Sequence, residues 1–134
     1  MSTQQVRPKI LVVEDEDDNR SILRWLLEQD GYQIIEAGDG DSAVAVALRE
    51  LPDLILMDIS LPKFDGLQAT REIRAVLSPE AVPIIAMSAY DRHLIREQAL
   101  SAGCTDYVAK PLDLEQLEAM IQKCLKVSAE SKCR

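Results

Sequence analysis

No stretch of this 134-residue sequence approaches the roughly 20 consecutive apolar residues of a membrane span. The first residues, Met1–Pro8, are polar and lack the apolar core of a secretion signal. Both absences point to residence in the cytoplasm. Cysteine is scarce as well: there are three, an odd count without metal-ligand spacing. Cys104 precedes an apolar segment and Cys124 sits in a helical pattern, so both read as reduced packing residues. Cys133, in the polar tail, is the candidate reactive thiol. Positive charge is in deficit, with 15 Lys and Arg against 23 acids and a net charge of -8. Phosphate contacts need concentrated positive charge, so a direct nucleic-acid surface is disfavoured. An acidic surface suits a site that recruits a cation. The sequence also lacks internal repeats, low-complexity runs and linkers, so it reads as one domain with a core sufficient for independent folding.

What is present alternates. Lys9–Val13 is a β-branched strand pattern, followed by a helical pattern over Asp17–Asp30 with Ile22, Leu23, Leu26 and Leu27 on one arc and Gly31 as its stop. Gln33–Ala37 is a second strand and Asp41–Glu50 a second helix, ended by Pro52. Leu54–Met57 is a third strand. Leu61-Pro62 is a turn, and Asp65 is placed to cap a helix to about Leu77. Pro83–Met87, Asp91–Ala102 with Gly103 as its C-cap, Thr105–Val108, and a helix capped by Asp113 and running to about Lys126 complete five strand–helix units. Residues 1–8 are expected to be extended or disordered, 9–126 to form the domain, and 127–134 to be a short polar tail. Alternation at these lengths predicts an α/β fold with a parallel sheet covered on both faces.

The strands end in polar residues of different kinds. Ile10–Val13 runs into Glu14-Asp15, Leu54–Met57 into Asp58, Val82–Met87 into Ser88, and Tyr107–Ala109 into Lys110-Pro111. In an open parallel sheet the C-terminal strand ends share one edge, and ligands bind just outside it. Two acids directly after a buried strand repel each other and are costly to desolvate, unless a cation joins them. A helix dipole accounts for Asp17 and Asp18 but not for Glu14 and Asp15. The spacing Asp15, Asp17, Asn19 imitates a calcium loop, but Arg20 stands where that loop needs glycine and Leu26 where it needs glutamate. Glu14, Asp15 and Asp58 around one small volume suit magnesium, which takes a few carboxylate oxygens plus water and phosphate.

The segments "ILVVEDEDDNR", "LILMDISLPKFDG", "PIIAMSA" and "AGCTDYVAKP", in this order and each at a strand end, resemble the receiver domain of two-component response regulators. The resemblance covers about Lys9 to Lys126 and is to a stand-alone, chemotaxis-regulator-like receiver. It implies a flavodoxin-like doubly wound sheet of five parallel strands in the order 2-1-3-4-5, with two helices on one face and three on the other. It implies that Asp58 is the phosphoacceptor for a histidine kinase or phosphotransfer protein. Glu14, Asp15, Asp58 and the backbone carbonyl of Ser60 would hold Mg2+, with Mn2+ as a substitute. Lys110 and Ser88 would bind phosphoryl oxygens, and Tyr107 would be the aromatic that changes packing when Ser88 moves. Glu14 stands where the family more often has aspartate, which leaves direct and water-mediated metal contact open. Ser60 and Tyr90, two residues beyond Asp58 and Ser88, occupy positions that in this family modulate loss of the phosphoryl group, and a bulky Tyr90 obstructing an attacking water would make hydrolysis moderately slow.

At ~100° per residue, Trp25 lies roughly 130° from the centre of its helix's apolar arc. It is therefore expected to be partly exposed, and with Asn19 and Ile22 to form the docking surface for the kinase or phosphotransfer protein. His93, Arg96, Tyr107 and Met120 belong to the face that receivers use for output. The expected function is a monomeric, phosphorylation-controlled protein-binding switch, not an enzyme beyond assisting its own phosphorylation and dephosphorylation. It would contact a downstream target protein, with no direct nucleic-acid contact and no membrane insertion. The alternative is a phosphorelay intermediate that passes the group to a downstream histidine. A flavodoxin-like cofactor binder would need a Ser/Thr/Gly-rich phosphate loop where Glu14–Asp18 would repel it. An acid-nucleophile phosphatase would favour a second aspartate where Ser60 stands.

Overall fold

The computed structural model describes residues 7–59, 66–89 and 93–132. Five strands alternate with five helices: β1 (Lys9–Val13), α1 (Asp17–Gln29), β2 (Gln33–Ala37), α2 (Gly40–Glu50), β3 (Leu54–Asp58), α3 (Gly66–Arg74), β4 (Ile84–Ser88), α4 (His93–Ala102), β5 (Asp106–Ala109) and α5 (Leu114–Lys132). All strand pairings are parallel and the order is β2-β1-β3-β4-β5. This is the doubly wound architecture the alternation predicts.

Strand periodicity divides the core. Side chains alternate across the sheet, so Leu11, Val13, Ile55, Met57, Ile84 and Ala86 bury against α2, α3 and α4 through Ala43, Ala47, Ala69, Ile73 and Ala99. Ile10, Val12, Leu54, Leu56, Ile85 and Met87 bury on the other face, against Leu23 and Leu27 of α1 and Leu117, Ile121 and Cys124 of α5. α2 packs on the strands through the small side chains of Ala43 and Ala47, whereas α1 and α5 pack with leucine and isoleucine. Cys104 and Cys124 are buried free thiols, and desolvation pushes Cys104 up to about 11. Both therefore behave as packing residues.

The ends of the elements differ from the expected ones in specific ways. β3 and β4 extend through Asp58 and Ser88, because these polar residues still pair in the ladder, Asp58 opposite Met87 and Ser88 opposite Ala109. α3 ends at Arg74, not Leu77, and α5 runs past Lys126 to Lys132 where a tail was expected. Gly31 (φ +92°) and Gly103 (φ +116°) take the left-handed conformations that end α1 and α4. Leu51 does the same for α2 at φ 49° without being glycine. The expected turn at Leu61-Pro62 and the caps Asp65 and Asp91 lie outside the described residues.

Gly66 opens α3 where no side chain fits. A Cβ there would stand 2.5 Å from the Asp58 backbone oxygen and 2.8 Å from Ile59 Cγ2. The helix thus starts in contact with the end of β3. At the opposite edge of the sheet, Arg74 closes α3. Its guanidinium donates to the carbonyls of Gly103 (2.7 Å), Val82 (2.7 Å), Leu77 (3.3 Å) and Ser78 (3.3 Å), and reaches Thr105 Oγ1 at 3.4 Å.

Candidate functional site

The alternation that splits the core also selects which side chains meet beyond the strand ends. Ile10 and Val12 face α1 and α5, so Glu14 follows them to that side; Leu54 and Leu56 set the same phase for Asp58, and Val108 for Lys110. Val13 lies opposite Met57, which makes Glu14 and Asp58 the next pair in register. Ser88 has the other phase. It shares a face with Ala86, whose partner across the ladder is Tyr107.

Lys110 Nζ lies 2.8 Å from Glu14 Oε1 and 2.6 Å from Asp58 Oδ2. Glu14 is 1% and Asp58 0% exposed, so two carboxylates share one ammonium almost out of water. The Glu16 amide donates to Glu14 Oε2 at 3.2 Å. Burial pushes the Glu14 carboxyl above its ordinary range; Lys110 pulls it down, and the neighbouring Asp58 adds to the rise. For Lys110, burial opposes the charge, but Asp58 and Glu14 outweigh it and raise the ammonium above its usual value. The trio carries one more carboxylate than ammonium, which is an attraction for a second cation.

Asp15 is exposed beside Glu14. Among the described residues, no three or more His, Cys, Asp or Glu close into a group arranged to hold a metal ion. The edge instead offers two buried carboxylates and an acid at the rim. That donor set fits a hard cation that keeps several of its waters, as magnesium does, better than a metal that needs a full protein cage.

Ser88 is fully buried at the end of β4, and the Lys110 amide donates to its carbonyl at 2.7 Å. Tyr107 is half-buried against the α2–α4 side of the core. The Lys110–Pro111 peptide is cis. The structure thus brings Glu14, Asp58 and Lys110 into direct contact, with Ser88 joined to them through the backbone. Ser60 and Tyr90 lie outside the described residues, as does the side chain of His93.

On α1, Trp25 is 60% exposed, as its helical position predicts. Ile22, expected on the apolar arc, is 56% exposed: the buried pair is Leu23 and Leu27, and Ile22 falls on the flank. It lines, with Asn19, Leu26, Lys110, Pro111 and Leu114, a groove of about 300 Å³ between α1 and the start of α5. Arg96 is exposed. Met120 is half-buried against the α1–α5 side of the core.

Sequence reasoning passed over Arg20, whose Nη1 donates to the Glu14 carbonyl at 2.6 Å, and Glu36, which accepts from Arg20 Nε at 3.2 Å. The available signal was a cation two residues beyond the acid run Glu14–Asp18.

The sequence pattern of the response regulator receiver domain matches residues 10–122. An uncharacterized 14.6 kDa protein from Leptolyngbya boryana is 38% identical over 117 residues, covering 87% of this chain and 89% of that protein. The alkaline phosphatase synthesis transcriptional regulatory protein PhoP of Bacillus subtilis is 36% identical over 90% of this chain, which spans 49% of PhoP. The chain likewise spans about half of several other curated relatives it matches. Among solved structures, the receiver domain of the Pseudomonas aeruginosa sensor histidine kinase PA1611 superposes with a TM-score of 0.81 at 40% identity. The match covers 90% of this chain and 99% of that one, and that structure has a magnesium ion coordinated in its active-site cleft. The chain belongs to the response regulator receiver domains of two-component systems, a family of phosphorylation-dependent signalling.

Proposed function

We propose that Asp58 accepts a phosphoryl group from a histidine kinase or phosphotransfer protein, and that the phosphorylated form changes a protein-binding face. The observation that carries this reading is the Lys110 ammonium held at 2.6 Å from the buried Asp58 carboxylate and 2.8 Å from Glu14. A carboxylate oxygen of Asp58 attacks phosphorus as the bond to the donor nitrogen breaks, and that nitrogen leaves with its electron pair and takes a proton. Charge develops on the phosphoryl oxygens, and Lys110 can follow it, exchanging a carboxylate contact for a phosphoryl contact. Glu14, Asp15 and Asp58, with the Ser60 carbonyl, would hold Mg2+, which supplies charge neutralisation between the carboxylate nucleophile and the incoming phosphoryl group. The magnesium in the related receiver of PA1611 supports this assignment.

Ser88 would donate its hydroxyl to another phosphoryl oxygen. Because Ser88 and Tyr107 share a face of the sheet, a shift of Ser88 changes the packing available to Tyr107, and a local contact becomes a shift between two conformations. The groove beside Lys110, rimmed by Asn19, Ile22 and Leu114 and continued along α1 by Trp25, is the proposed docking surface for the phosphodonor. It lies on the face into which Asp58 points. The protein is read as a cytoplasmic monomer that catalyses no reaction on a separate substrate; no described helix is long and apolar enough to cross a membrane.

Incubation with a small phosphodonor and Mg2+, followed by intact mass, tests the assignment. A single phosphoryl adduct absent from Asp58→Asn is expected; no adduct, or one that survives the substitution, overturns it. A phosphorelay role is the second reading, favoured by the likeness to a receiver domain of a sensor histidine kinase. Transfer from phospho-Asp58 to a phosphotransfer histidine faster than hydrolysis would select it.

A further inference from the structure

The segment 14–16 that presents the acids is short, and the start of α1 ties down its far end, Glu16, through the Asn19 side chain (2.7 Å) and the Arg20 amide (2.9 Å). Glu16 occupies the N-cap position but makes no side-chain cap hydrogen bond, so the usual device for fixing a helix entry is missing. Arg20, one turn into α1, reaches back instead. Its Nη1 donates to the Glu14 carbonyl at 2.6 Å, its Nε to Glu36 Oε1 at 3.2 Å, and its Nη2 to Asp17 Oδ1 at 2.5 Å. The Glu14 amide is held from the other side by the Ala37 carbonyl at 3.1 Å. The carbonyl that Arg20 grips belongs to the peptide joining Glu14 to Asp15, and the tilt of that peptide sets where the Asp15 carboxylate points.

Charge placement agrees. An unpaired guanidinium beside the acids would repel an incoming cation. Here Glu36 and Asp17 neutralise it, and Arg24 Nη1 takes the second oxygen of Glu36 at 2.5 Å, so the fork orients the loop without cancelling the charge of the site. The planar guanidinium spreads three donors in fixed directions, which an ammonium cannot do. Space is matched too: a Cβ at Gly38 would lie 3.4 Å from Arg20 Nη1, so the end of β2 leaves only contact room around the guanidinium.

We infer that Arg20, braced by Glu36, is a positioning residue for cation binding: it fixes the peptide between Glu14 and Asp15 so that both carboxylates address the Asp58 edge. The inference rests on the reading of that edge as a Mg2+ site, and the following experiment separates the two. Mg2+ is titrated calorimetrically into the full chain and its variants, well below the melting temperature of each, with thermal melts in EDTA recorded in parallel. Arg20→Gln is expected to weaken Mg2+ about tenfold, the usual scale for losing a group that orients ligands. Arg20→Lys, which keeps the charge and loses the fork, is expected to recover only part of that loss. Glu36→Gln, which leaves Arg20 less braced and less neutralised, should weaken binding by a smaller factor and carries the test if Arg20→Gln does not fold. Arg24→Gln, whose side chain donates to Glu28 and Glu36 and not to the Glu14–Asp15 peptide, should stay within twofold of wild type. Mg2+ affinity within twofold of wild type in Arg20→Gln, even with a lowered melting temperature, overturns the inference, as does full rescue by Arg20→Lys. A wild type that binds no Mg2+ overturns both this inference and the reading beneath it.

Discussion

Lys110 and Arg74 are half-buried cations at opposite ends of the same sheet, and different kinds of oxygen hold them. Lys110, beyond the C-terminal end of β5, sits between the carboxylates of Glu14 and Asp58. Arg74, beyond the N-terminal ends of β4 and β5, sits among four backbone carbonyls and a threonine hydroxyl. Carboxylates are side chains that can titrate, bind another cation or become esterified. Backbone carbonyls neither titrate nor become esterified while the chain stays folded. One end of the sheet is therefore built from interactions that can be exchanged, and the other from interactions that cannot. Burial lowers the Arg74 guanidinium from its ordinary value, yet an arginine so perturbed still stays charged.

This contrast breaks first at Lys110. Lys110→Met is expected to slow phosphorylation by a small phosphodonor about 10²- to 10³-fold, the usual cost of losing one preorganised charge on a transition state. Arg74→Met should leave that rate within about twofold. Equal losses would remove the distinction between the two ends. The converse experiment is on stability: Arg74→Ala leaves several carbonyls short of a donor and should cost about 3 kcal/mol by urea unfolding, insensitive to Mg2+. Lys110→Ala should also destabilise the protein, but here Mg2+ should restore most of the loss, since another cation can stand between the carboxylates.

Gly103→Ala sharpens the rigid end. The substitution forces a side chain at φ +116° and places a Cβ 2.5 Å from Arg74 Cγ, so a loss of about 1–2 kcal/mol is expected in thermal unfolding. The smallest effect is in pH. The folded Glu14 carboxyl is raised above its unfolded value, so its contribution to stability is fully present below the unfolded value, about 4.5, and is lost as pH rises through the folded one. In EDTA, wild type should gain stability relative to Glu14→Gln as pH falls from about 7 towards 5. A flat difference would mean that burial does not raise the Glu14 carboxyl.

The exchangeable end was legible in the sequence and the rigid end was not. Glu14, Asp58, Ser88 and Lys110 each follow an apolar strand, and the two-residue period of those strands even fixes which of them share a face. Arg74 carries no such mark. Nothing local to it says that the carbonyls of Val82 and Gly103 will arrive beside it, because that depends on how two separate crossovers close. Arg20 is an intermediate case, since a cation beside an acid run is visible but its grip on the Glu14 carbonyl is not. Leu51 was unreadable for another reason: a left-handed leucine carries a steric cost, and the glycine that usually marks such a helix end is missing. The misplacement of Ile22 is a matter of angle, because an arc of four apolar residues is wider than the strip that α1 buries.

Gly66 has a mechanical consequence. With room for nothing larger than hydrogen against the Asp58 carbonyl, the first turn of α3 rests on the backbone of the proposed acceptor like a feeler gauge on a machined surface. Hard contact of this kind needs no charge, no proton and no hydrogen bond to carry a displacement. If phosphorylation shifts the Asp58 peptide towards α3, the helix must move or the contact must be strained. That response would be the same in high salt as in low, unlike the ion pairs that Lys110 makes at this edge of the sheet.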